Sequence, residues 1–98
     1  MLTLDQIDRL VGEVAATTLA SGVVDRIFSE PTIDSRGHEA LRITIVIEDD
    51  ALPKISGDAA LETLVGVHRK LQEAGEERLP IVGYATHEDL VEGGDPQP

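Results

Sequence analysis

The sequence predicts an α+β fold: a two-layer α/β sandwich in the order α-β-β-α-β, with a β-hairpin and both helices on one face of a three-stranded mixed sheet. Three observations predict it. Residues 3–19 carry an apolar stripe of helical period behind a capping box. Residues 38–48 alternate between apolar and more polar side chains, the period of a strand. A second helical pattern separates that strand from an apolar run at 80–85. Such a crossover makes the last strand parallel to the one before it. One apolar stripe per helix and one strongly apolar sheet face are satisfied most economically by two layers.

The first helix opens at Thr3-Leu4-Asp5-Gln6. The Thr3 hydroxyl covers the first turn, Gln6 reaches back, and Asp5 and Asp8 sit at the positive end of the helix dipole. Ile7, Leu10, Val11, Val14, Ala15, Thr18 and Leu19 form its stripe, and Gly22 is the expected stop. A strand over 23–33 is rich in β-branched residues, and Pro31 puts its end on an edge or at a bulge. Asp34-Ser35-Arg36-Gly37 is the hairpin turn, with aspartate to start it and glycine to supply a positive φ. In the next strand Leu41, Ile43, Ile45 and Ile47 face the core. Arg42, Thr44, Val46 and Glu48 face a half-wet side.

A loop over 49–55 contains Pro53. The second helix begins at Ser56 or Asp58 and ends at Gly75. Leu61, Leu64, Val65, His68 and Leu71 make its expected buried stripe, with Gly57 and Ala60 allowing close approach to the sheet. Glu76-Glu77-Arg78 is a polar link, and Pro80 to Ala85 the third strand. Thr86-His87-Glu88-Asp89 is patterned as a short further helix start. The expected organisation is one compact domain over 1–92 and a disordered tail over 93–98.

Composition narrows the function classes. The chain has 98 residues, with 19 Asp and Glu against 8 Lys and Arg, giving a net charge of -11. Acids outnumber bases in every stretch, so nucleic-acid backbones and anionic membranes are repelled at long range. With no cysteine, disulfide frameworks and thiolate metal sites are excluded. No apolar run is long enough to span a bilayer, and Met1-Leu2-Thr3-Leu4-Asp5 has neither the basic nor the long apolar region of a secretory signal. The expectation is a soluble, cytoplasmic protein.

Motifs for chemistry are sparse. There is no G-x-S-x-G, no G-x-G-x-x-G, no Walker A pattern, and no pair of histidines at metal-binding spacing. His38-Glu39 and His87-Glu88-Asp89 put histidine beside carboxylates, a juxtaposition common by chance in so acidic a chain. The paired acids Asp49-Asp50 and Glu76-Glu77 are expected to be solvated. No cofactor is expected, no metal site is assigned, and no residue is assigned a catalytic role. His68, at the centre of the helix stripe where leucine would be usual, is the one histidine placed to border a dry pocket. Together with Tyr84 it forms the candidate ligand-binding pair.

The α-β-β-α-β order is similar to that of type II KH domains, a resemblance of element order alone, and it implies nucleic-acid binding. The G-x-x-G loop that grips nucleotides is missing, and Phe28 and Tyr84 are the only aromatics, too few for a stacking platform. The first expectation is therefore a non-catalytic protein-interaction module. It acts through Val46 and its neighbours on the outer sheet face or through a strand edge, with a protein partner or a second copy of itself. An acidic partner for a basic protein, antitoxin-like or immunity-like, is one form of it. The second expectation is a small-molecule or metal-binding domain, enzymatic or not, around His68.

Overall fold

A computed structural model of the chain describes residues 2–19 and 22–86. The elements are α1 (Leu4–Thr18), β1 (Val24–Ile33), β2 (Glu39–Ile47), a single 3-10 turn (Leu52–Lys54), α2 (Gly57–Glu73) and β3 (Leu79–Thr86). The order in the sheet is β1-β2-β3, with β1 antiparallel and β3 parallel to β2. The predicted topology is the observed one, with both helices packed on one face. The expected short helix at 86–91 and the tail at 93–98 lie outside the described residues, except that Thr86 is the last residue of β3.

Local chemistry sets the ends of these elements. Thr3 and Gln6 close the capping box of α1: Gln6 N–H donates to Thr3 Oγ1 at 3.1 Å, and Thr3 N–H donates to Gln6 Oε1 at 2.9 Å. The helix ends earlier than expected, with Leu19 as its C-cap; Gly22, at φ +83°, serves the turn into β1 instead. In the hairpin, Gly37 N–H donates to the Asp34 carbonyl at 3.0 Å, and the Asp34 carboxylate accepts the N–H groups of Arg36 and His38. Gly37 has the expected positive φ, +84°. α2 starts on the Ser56 hydroxyl, which accepts Ala59 N–H at 3.0 Å. It finishes in a Schellman motif: Gly75 N–H donates to Gln72 C=O and Glu76 N–H to Leu71 C=O, around Gly75 at φ +89°.

The core is aliphatic. Ile7, Val11, Val14 and Ala15 of α1 meet Leu41, Ile43, Ile45 and Ile47 of β2, with Val67 and Leu71 of α2 completing it. Each of these larger side chains contributes roughly 1.5–3 kcal/mol by leaving water. α1 lies over β1, α2 leans over β3, and the two helices pack against each other.

The buried face of α2 differs from the expected one. Thr63, Val67 and Leu71 are buried; Leu61 and Val65 are 59% and 47% exposed, and Leu64 is at the surface as well. The reason is the closeness of the helices. At Gly66 a Cβ would stand 2.7 Å from Val14 Cγ1, so α2 must present its small-residue side to α1. Thr63 and Thr18 hydroxyls meet across the same seam at 2.6 Å. Each hydroxyl also reaches the carbonyl four residues back in its own helix, Thr63 to Ala59 at 2.8 Å and Thr18 to Val14 at 3.0 Å, and since a hydroxyl has one proton the two share the seam by exchanging donor roles. Gly57, expected to allow close approach, has nothing within 4 Å of its Cβ position.

Candidate functional site

His68 and Tyr84, the residues singled out for ligand binding, sit on α2 and β3. His68 is half-buried and borders a shallow open recess of about 550 Å³ with Leu71, Gln72, Glu76, Leu79 and Pro80. Tyr84 is not among the residues lining it. Tyr84 is half-buried against the core, opposite Ile45 in the sheet register, and its hydroxyl is buried with no hydrogen-bond partner among the described residues. The fold does not bring the two into one pocket wall.

Glu76 was expected in solvent and is instead buried. The Schellman turn that ends α2 aims its side chain inward, where Arg78 meets it with Nε at 2.9 Å from Oε2 and Nη2 at 3.0 Å from Oε1. Leu2 N–H donates to Oε1 at 3.0 Å, Arg78 N–H donates to Oε2 at 3.0 Å, and Arg78 Nη2 donates to the Leu2 carbonyl at 3.1 Å. The Arg78 hydrogen bonds are the largest influence on Glu76 and hold its carboxyl down to about 2 against the opposing effect of burial. The same pairing raises Arg78. This cluster clips the start of α1 to the α2–β3 link. Its groups are satisfied by one another, which is the arrangement of a structural lock.

His38 stands beside the hairpin aspartate, with Nδ1 3.6 Å from Asp34 Oδ2, and is exposed. The backbone N–H of His38 is the largest influence lowering the Asp34 carboxyl. His87 lies outside the described residues. Among the described residues no group of three or more His, Asp or Glu is placed to hold a metal ion, and no helix is long and apolar enough to cross a membrane.

What the described surface does offer is apolar. Val46, expected as the contact residue of the outer sheet face, is 0% exposed and has nothing to present. The exposed large side chains gather at the other end of the sheet. Leu61 and Val65 line an open groove between α2 and α1, with Glu13, Thr17, Arg69 and Lys70 about them, while Leu64 is exposed outside it and His68 borders the recess at the start of β3. Leu79 and Ile81 of β3 are exposed on the opposite sheet face, in register with Ala40 and Arg42. β3 is an edge of the sheet, and no further strand of the described residues lies beyond it.

The two sheet edges are unlike. At β1 the register slips by one residue at Asp25, and the strand carries Arg26, Glu30 and Pro31, all devices that discourage edge pairing. Arg26 also lies over the Phe28 ring at 5.4 Å. β3 reads Leu-Pro-Ile-Val-Gly-Tyr-Ala-Thr, has no charged residue, and keeps a regular register with β2. The signal for the exposed flank was present in the sequence: α2 carries a second stripe of equal period, Ala60, Thr63, Val67 and Leu71, and only one of two stripes can face the core. The chain matches no family model, no curated protein and no solved structure.

Proposed function

We propose that this chain is a non-catalytic protein-interaction module whose contact face is the outer flank of α2 together with the β3 edge. The observation that carries the reading is the row Leu61, Leu64 and Val65, left outward by a helix whose other stripe fills the core. Exposed apolar side chains along a helix, and an edge strand free of charge, are each the composition of a contact surface. An extended partner segment would add to β3 by backbone hydrogen bonds, and an apolar partner side chain would fill the groove that Leu61 and Val65 line beside α1.

A photo-crosslinking amino acid placed in the cell at position 61 tests this. Position 33 is the control, since Ile33 is equally exposed but lies at the hairpin end of β1. A discrete protein adduct is expected from position 61, lost when Val65→Glu is added, and none from position 33. Equal labelling from both positions, or none from 61, overturns the reading.

A further inference from the structure

We infer that the partner at the β3 edge is an extended protein segment of basic–apolar–basic character, with an apolar centre and Lys or Arg at both ends. The inference rests on the interaction reading and names the chemistry of the partner.

The strand sets what the centre must be. Among the described residues β3 pairs only with β2, and Pro80 has no N–H to give. On an edge strand that gap is tolerated where it points away from the neighbouring strand. Directions alternate along a strand. Val82 and Tyr84 therefore turn their N–H and C=O groups outward with Pro80, while Ile81 and Gly83 turn theirs to β2. A strand added at the outward groups places its side chains in two settings. On the outer face they lie beside Leu79 and Ile81, both exposed. On the helix face they lie beside Val82 and Tyr84, below His68 and Leu64. His68 borders the recess at Leu79 and Pro80. Leu64 is one turn earlier on the same side of α2, which runs opposite to β3, so it stands near the level of Val82. Both settings call for apolar side chains.

The ends call for the opposite. β3 itself has no charge, yet acids stand at each end of it. Glu77 is exposed just before the strand and shares a recess with Leu79, Glu39 and Asp34. At the far end Thr86 is in register with Ile47, after which the chain reads Glu48-Asp49-Asp50, all exposed, and Asp58 is exposed in the first turn of α2. The bases nearby are fewer: Arg36 at the first end, and Lys54, 3.9 Å from Asp50, at the second. Cationic side chains separated by the length of β3, ~23 Å, would meet an acidic excess at both ends. The net charge of -11 steers such a segment inward at long range and repels a second copy of the chain.

Amide NMR on the full chain, titrated with the peptide Lys-Lys-Val-Thr-Val-Thr-Val-Lys-Lys, tests the inference. In the free chain the Ile81 and Gly83 amides are expected to be protected from hydrogen exchange, and those of Val82 and Tyr84 to exchange freely. The peptide is expected to shift and protect Val82 and Tyr84. Raising salt from about 0.05 M to about 0.5 M shortens the screening length and is expected to weaken binding roughly tenfold. Glu48→Lys combined with Glu77→Lys is expected to weaken it at least as much with an unchanged circular dichroism spectrum, because both side chains are exposed. A peptide with Glu in place of every Lys is expected not to bind. Val82 and Tyr84 amides already protected in the free chain would mean that the chain itself or a second copy covers the edge, and overturn the inference. Equal binding of the Glu-ended peptide overturns it too, as does a Lys-ended peptide that leaves Val82 and Tyr84 unperturbed. If such a failure comes with a protein adduct at position 61, the contact face stands and only the partner's chemistry falls. With no adduct at 61, both fall.

Discussion

Replacing Glu76 with glutamine should cost this domain a large part of its stability at neutral pH and nothing near pH 2. The carboxylate is held by two hydrogen bonds from the Arg78 guanidinium and by the backbone N–H groups of Leu2 and Arg78. These bring its pKa from 4.5 to about 2. At about 1.4 kcal/mol per unit, that difference is about 3 kcal/mol favouring the folded state. The folded value lies below the unfolded one, so the contribution is complete above about pH 4.5 and is lost as pH falls through about 2. Glutamine keeps the shape but leaves the Arg78 charge buried without its counter-ion, a loss of similar size. Urea unfolding followed by far-ultraviolet circular dichroism, on wild type and Glu76→Gln at intervals from pH 7 to pH 2, reads the difference directly. Other carboxylates titrate alike in both proteins and cancel in it. The gap is expected to be about 3 kcal/mol at pH 7, or roughly 12 °C or more in melting temperature for a domain of this size. It closes toward pH 2. A gap that is already absent at pH 7, or that stays constant down to pH 2, refutes the lock.

Two other substitutions probe the packing. Gly66→Ala should destabilise by about 1–2 kcal/mol in chemical denaturation, because the clash with Val14 at 2.7 Å outweighs the roughly 1 kcal/mol of helix propensity gained. In a Val14→Ala background the same change should stabilise, and a stabilising effect in the wild type would mean that the helices are not in close contact. Tyr84→Phe should leave stability unchanged or raise it by about 1 kcal/mol, since it removes a buried hydroxyl without a partner among the described residues. A loss of more than about 1 kcal/mol would reveal a partner for that hydroxyl.

The parts of the fold that could be read from the sequence are those in which one physical signal acts alone. The alternation of Leu41, Ile43, Ile45 and Ile47 has a period of two and no competitor, so the strand and its buried face follow together. The capping box at Thr3 and the Schellman glycine at 75 are satisfied within a few residues of chain. Elsewhere the deciding partner is distant. Leu2 closes the Glu76–Arg78 cluster from 74 residues away, and nothing near Glu76 distinguishes it from its solvated neighbour Glu77. Val46 was assigned to the correct sheet face, yet its burial depends on surroundings that alternation does not encode.

α2 shows most plainly how such a misreading carries functional content. Hydropathy ranks Leu61, Leu64 and Val65 above Ala60, Thr63 and Gly66, so burial estimated from side-chain apolarity puts the leucines inside. The inner face went to the smaller residues because α1 approaches to within contact of Gly66, and backbone proximity selects for small side chains whatever their hydropathy. Folding uses the displaced apolar side chains only in part. Leu61 and Val65 line the groove beside Glu13 and Thr17 of α1 and still leave about half their surface in water, and separately β3 is the one strand without charge. Both features are liabilities in an isolated domain, since a bare edge and an apolar row promote association. Each edge strand carries one proline, Pro31 and Pro80, but only β1 adds a register slip and charges. The difference between the two edges therefore argues for a contact made at β3 and withheld at β1. Moving Lys into Val82's neighbour by Ile81→Lys, which alters an exposed side chain and leaves the core intact, should abolish association through β3 while the equivalent change at Ile33 does not.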